Sequence, residues 1–102
     1  MTIEHYKKAD TLYVKLCGEL DEHHSAYVRT TIDMLTDSDV VKRVYIDMSE
    51  LNFMDSTGIG VLIGRYKRLK PRGIPIFIKS PQVAVDKVLK LSGIYEIMTK
   101  AG

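Results

Sequence analysis

A chain of 102 residues, 45% apolar and 27% charged, suffices for one hydrophobic core and is too apolar for extensive disorder. Its formal net charge of +2 is too small to argue for nucleic acid as a partner. The single cysteine, Cys17, excludes an internal disulfide and suits a reducing compartment.

The first residues, Met1 to His5, lack the basic and apolar regions of a secretory signal. No apolar run is long enough to span a bilayer, so a cytoplasmic protein without a membrane partner is expected. A short strand is predicted around Ile3 to Tyr6, with a turn at Ala9-Asp10. A second, alternating strand follows from Thr11 to Cys17. Cys17 lies in that alternation, which predicts a buried, inert thiol. Gly18-Glu19-Leu20 should end the strand, and Asp21 reads as the N-cap of a helix reaching about Leu35, with Val28, Ile32 and Leu35 on one face.

Val41 to Met48 reads as a central strand and Ser49 to Met54 as a connector. From Ser56 to about Lys70 the residues Ile59, Leu62, Ile63, Tyr66 and Leu69 keep helical spacing. Gly58, Gly60 and Gly64 each weaken that helix by about 1 kcal/mol relative to alanine, which makes sense if sheet or partner approaches closely there. The basic residues Arg65, Lys67, Arg68, Lys70 and Arg72 read as a solvated face that complements the helix dipole. Gly73 closes the helix. Ile74 to Ile78 is a strand whose Pro75 delays its hydrogen bonding or places it near an edge. Ser80-Pro81 reads as N-cap and first helical residue, Ala84, Val85, Val88 and Leu89 as the helix's apolar face, Gly93 as its stop, and Ile94 to Met98 as a last strand.

The order β-β-α-β-α-β-α-β predicts one α/β domain over 1–102, with a mixed, mostly parallel sheet packed against helices. Functional groups in such sheets collect at the carboxyl ends of strands. Asp55-Ser56-Thr57-Gly58 stands there, at a helix start whose free N–H groups and dipole favour an anion. Two readings of the four residues are open: a site for phosphorylation at Ser56, or capping by Ser56 or Asp55 alone.

Three segments are similar to one family. Gly18-Glu19-Leu20-Asp21-Glu22-His23-His24, the run from Phe53 to Lys67, and Leu91-Ser92-Gly93-Ile94-Tyr95-Glu96-Ile97 together resemble the STAS domain of anti-sigma factor antagonists over essentially the whole chain. The resemblance implies a partner switch. The unmodified antagonist binds an anti-sigma factor that is also a serine kinase and so frees a sigma factor, phosphorylation causes release, and a phosphatase resets the cycle. It implies phosphorylation at Ser56 and a docking face of Asp21 with Asp55, Ser56, Thr57, Gly58, Ile59 and Gly60. Thr57 stands where sporulation-type antagonists usually have serine and general-stress antagonists often have threonine, whereas Gly64-Arg65-Tyr66-Lys67 and the paired histidines lean toward the sporulation type. A protein that is monomeric when free is expected.

Other chemistries find little support. Ser56 lies in no Gly-x-Ser-x-Gly elbow, and no spacing brings His23 or His24 to it as a base, so no enzyme is expected. His5, His23 and His24 form no ligand set with Cys17 at zinc spacing, so no metal is expected. The glycines of the Ser56 helix match neither the P-loop nor the dinucleotide fingerprint, so no cofactor is expected, and weak nucleotide binding remains a secondary reading.

Overall fold

The computed structural model describes residues 1–101. Strands β1 (Thr2–Lys8) and β2 (Thr11–Leu20) form a hairpin, and then helices α1 (Ser25–Thr36), α2 (Ser56–Leu69) and α3 (Val83–Ser92) alternate with strands β3 (Arg43–Met54), β4 (Ile76–Lys79) and β5 (Thr99–Lys100). The five strands lie side by side in chain order, with β1 antiparallel to β2 and every later pair parallel. The expected α/β order and mixed sheet are therefore observed.

Monotonic strand order has a steric consequence. Successive crossovers of the same hand put all their helices on one face of a sheet. Leu12, Val14 and Leu16 of β2, Val44, Ile46 and Met48 of β3, and Ile76 and Ile78 of β4 are buried toward that face. Val28 and Ile32 of α1, Leu62 and Leu69 of α2, and Val85 and Leu89 of α3 close over them. Each such side chain contributes about 1.5–3 kcal/mol through removal from water. The other face carries no helix. Tyr6, Tyr13, Tyr45 and Phe77 stack across it from β1 to β4, with ring centroids 4.7, 5.3 and 4.8 Å apart.

Several elements depart from the sequence reading. Strands β2 and β3 run past Gly18 and Ser49 and end together, with Leu20 opposite Met54, because each extension is the other's hydrogen-bonding partner across two register shifts. The expected connector 49–54 is therefore strand. Asp21 does not cap α1. Its carboxylate is taken up within a local turn by His24, so the helix begins only at Ser25. Ser80 does not cap α3 either. It has a left-handed φ of 53°, Gln82 is extended, and the Gln82 side chain donates to the Ser49 carbonyl at 2.8 Å, which delays the helix to Val83. Ala84 is consequently exposed. Gly93 stops α3 as expected, with φ 78°.

The stretch predicted as a last strand is a 3₁₀ turn at Ile94–Glu96 followed by the two-residue β5. Ile94 and Met98 both enter the core while Glu96 between them is exposed, whereas alternation would put all three on one face, and Ile97 is also left exposed. Strand β4 starts after Pro75, as its missing N–H requires, but lies between β3 and β5 rather than at an edge. Cys17 is not buried. It sits on the open face with its Sγ 3.7 Å from Glu4 Oε2 and 3.6 Å from Glu50 Oε2. Arg65 breaks the predicted solvated face: it is only 7% exposed and its Nε lies 2.7 Å from Asp33 Oδ1 of α1.

Candidate functional site

Two neighbouring parallel strands deliver the site. Leu20 and Met54 are paired at the carboxyl ends of β2 and β3, so Asp21 and Asp55 leave the sheet side by side. The Asp55 N–H donates to the Leu20 carbonyl at 3.4 Å and ties the two exits together.

Asp55 is extended, with φ −111° and ψ −172°, and its Oδ1 accepts from the Gly58 N–H at 3.1 Å. It is thus the N-cap of α2. Ser56, the first helical residue, is not needed for capping and is exposed, as is Thr57. Its hydroxyl stands at a helix start, where unpaired N–H groups and the dipole favour negative charge, with the Asp55 carboxylate opposing it. Of the two readings left open by the sequence, capping belongs to Asp55, and Ser56 remains available for modification.

Gly58 is buried, and this corrects its expected place on the docking surface. A Cβ there would lie 2.7 Å from Met54 Cγ and 2.9 Å from the Leu20 carbonyl oxygen. Glycine lets the first turn of α2 seat directly on the exits of β2 and β3, so its contribution to the site is positional. Ile59 is half-buried against the core, whereas Gly60 is exposed with nothing within 4 Å of where its Cβ would be. The expected face therefore divides into accessible groups at Asp21, Asp55, Ser56, Thr57 and Gly60, and supporting groups at Gly58 and Ile59.

Asp21 is half-buried, and its Oδ1 accepts from the His24 N–H at 3.1 Å and lies 2.8 Å from His24 Nδ1. Desolvation pushes its carboxyl upward, but the bonds from the His24 backbone and ring outweigh this and hold it below the usual carboxylate range. The Asp21 carboxylate is therefore charged and preoriented.

Sequence reasoning missed Phe53, which is 48% exposed on β3 just before the site. No strand period signals it: Leu51 and Met54 are buried at a spacing of three, with Asn52 and Phe53 exposed between them. It also missed Arg65 on the inner side of α2, though Gly58, Leu62, Arg65 and Leu69 keep helical spacing along the buried stripe.

Away from this site, ligand atoms of Glu4, Cys17 and Glu50 lie within 4.8 Å of one another. Partial desolvation first, and then the two carboxylates, push the thiol pKa up, while Lys15 takes Glu50 at 2.7 Å. The thiol is thus held in its protonated, poorly ligating form. None of the histidines belongs to this group.

The sequence profile of the STAS domain matches residues 2–101. The chain belongs to the STAS domain family. An anti-sigma F factor antagonist of Paenibacillus polymyxa is 34% identical over 96 residues, covering 94% of this chain and 80% of the relative. An anti-sigma-B factor antagonist of Listeria monocytogenes is 26% identical over 95 residues, covering 90% of this chain and 82% of that one. The structure of the anti-sigma factor antagonist SpoIIAA in its unphosphorylated form superposes with a TM-score of 0.84 at 27% identity, over 99% of this chain and 89% of SpoIIAA. Bacillus SpoIIAA in its phosphorylated form superposes with a TM-score of 0.75 at 26% identity, over 99% and 92% of the two chains. SpoIIAA therefore shares this STAS fold in both covalent states. Among the described residues, no helix is long and apolar enough to cross a membrane.

Proposed function

We propose that this STAS domain is an anti-sigma factor antagonist that works by partner switching, with Ser56 as the switch. The observation that carries the proposal is the exposed serine at the first position of a helix already capped by its neighbour Asp55, at the paired carboxyl ends of β2 and β3. The likeness to antagonists of anti-sigma factors, and to SpoIIAA in unphosphorylated and phosphorylated forms, supports it.

Unmodified, the chain offers Asp21, Ser56, Thr57 and the exposed side of α2 to an anti-sigma factor and thereby frees a sigma factor. The anti-sigma factor is a serine kinase that transfers the γ-phosphoryl of its own ATP to the Ser56 hydroxyl. The phosphoserine brings a charge of about −1.5 to −2. The start of α2 tolerates it, so the domain stays folded. A dianion in a desolvated interface costs several kcal/mol unless cations meet it, so the complex dissociates. A separate phosphatase then restores the hydroxyl. The chain supplies no catalytic group of its own in this cycle, binds as a monomer, and works in the cytoplasm. The higher identity to the sigma F antagonist favours a sporulation-type pathway. Thr57 is the observation that favours the general-stress type.

Mixing the protein with an anti-sigma F factor kinase and ATP tests this. One phosphate on Ser56, seen by intact mass and peptide mapping, followed by loss of the complex on a sizing column, is the expected outcome. Stoichiometric phosphorylation of Ser56→Ala would refute the assignment. A Ser56→Asp variant that bound as tightly as wild type would count against charge exclusion.

A further inference from the structure

Helices α1 and α2 leave a cleft of about 450 Å³ between them, lined by Ser25 and Arg29 on one side and by Thr57, Gly60, Val61, Gly64 and Arg65 on the other. Two of its lining residues are bare backbone: a Cβ on Gly60 or Gly64 would meet nothing within 4 Å. These glycines cost helix stability and fill no internal gap, unlike Gly58.

The charges around the cleft do not balance. Asp33 Oδ1 lies 2.7 Å from Arg65 Nε and 3.5 Å from Arg68 Nε, and the charges of Arg29 and Arg68 both act on Arg65. Arg65 and Arg68 thus share one carboxylate. Arg65 is the buried member: it is held against Asp33, and its Nε and Nη1 are shut off from solvent. Arg29 is exposed and belongs to no ion pair among the described residues, so positive charge around the cleft exceeds negative.

We infer that this cleft is an acid-reading subsite: one aspartate or glutamate side chain of the anti-sigma factor enters over Gly60 and Gly64 and pairs with Arg29 in the positive field of Arg65. A planar carboxylate matches the guanidinium fork in shape and charge. The cleft adjoins the switch through Thr57, the residue after Ser56, so it extends the same docking surface. This inference rests on the antagonist reading above. It adds the partner chemistry that the surface selects.

Calorimetric titration of the full chain with purified anti-sigma F factor tests it. Three single-site variants are compared with wild type: Arg29→Glu at an exposed position, Gly64→Leu to fill the cleft without a clash, and Lys87→Glu on exposed α3 as an equal change of charge elsewhere. Thermal melts verify that each is folded. Arg29→Glu and Gly64→Leu are each expected to weaken binding about tenfold or more, with Lys87→Glu unchanged. A Glu→Lys or Asp→Lys change at the matching position of the anti-sigma factor is expected to restore binding to Arg29→Glu. If wild type bound but Arg29→Glu and Gly64→Leu bound equally well, or if Lys87→Glu lost as much, the subsite would be refuted and the antagonist reading would stand. If wild type itself failed to bind, the antagonist reading would fall and the subsite with it.

Discussion

Glycine plays opposite roles at neighbouring positions of α2, and the difference is purely one of surroundings. At Gly58 a methyl group would press on the Leu20 carbonyl, which cannot move without displacing the end of β2. Gly58→Ala is therefore expected to destabilise the protein by about 1–3 kcal/mol, despite the better helix propensity of alanine. Gly60→Ala meets open space and is expected to stabilise it by up to about 1 kcal/mol. Urea unfolding of the two variants distinguishes these outcomes. Asp55→Ala removes the N-cap bond to Gly58 and is expected to cost about 0.5–2 kcal/mol by the same measurement. All three glycines were visible in the sequence as helix-weakening residues, but not which of them the sheet required. That depended on where β2 and β3 end.

At the scale of elements, the carboxyl-terminal part of the fold hangs on Asp86. Its Oδ1 accepts from the Tyr95 hydroxyl at 2.6 Å and lies 3.1 Å from Lys100 Nζ, while its Oδ2 lies 3.2 Å from Lys90 Nζ. One carboxylate thus joins α3, the 3₁₀ turn and β5. The Tyr95 bond first, with the lysines reinforcing it against desolvation, lowers its pKa from 3.8 to about 2. A folded-state value below the unfolded one means that the ionised carboxylate stabilises the fold. That contribution is complete above about pH 3.8 and is lost as pH falls through about 2. Asp86→Asn is expected to be less stable than wild type at pH 7, with the gap closing between those two pH values. A gap that persisted unchanged at pH 2 would point to lost shape rather than lost charge. The sequence reading made this region a strand because its residues are β-rich. A strand would have turned Glu96 to the core side with Ile94 and Met98, and the turn leaves it exposed.

Across the whole molecule, the sheet is dry on one face and wet on the other. The stacked rings of Tyr6, Tyr13, Tyr45 and Phe77 cross-brace four strands on the wet face. Tyr13 and Tyr45 each have two stacked neighbours, and Tyr6 has one. Each such pair is worth about 0.5–1.5 kcal/mol beyond area burial. Tyr13→Ser is accordingly expected to lower the urea midpoint more than Tyr6→Ser.

The chain by itself determined the element order, the mixed sheet, the Ser56 helix and the place of Ser56 at its start. Local periodicity, strand-rich runs and terminal glycines are short-range signals, and each names its element without knowing its neighbours. Only the tertiary structure decided that β2 and β3 extend each other, that Asp55 rather than Ser56 caps α2, that Asp21 serves its own turn, and that Arg65 turns inward toward Asp33. Each of these outcomes is a competition for one hydrogen-bonding or charged group between partners far apart in the chain. Which partner wins depends on distance in space, and that exists only once the strands have paired and the helices have closed over one face.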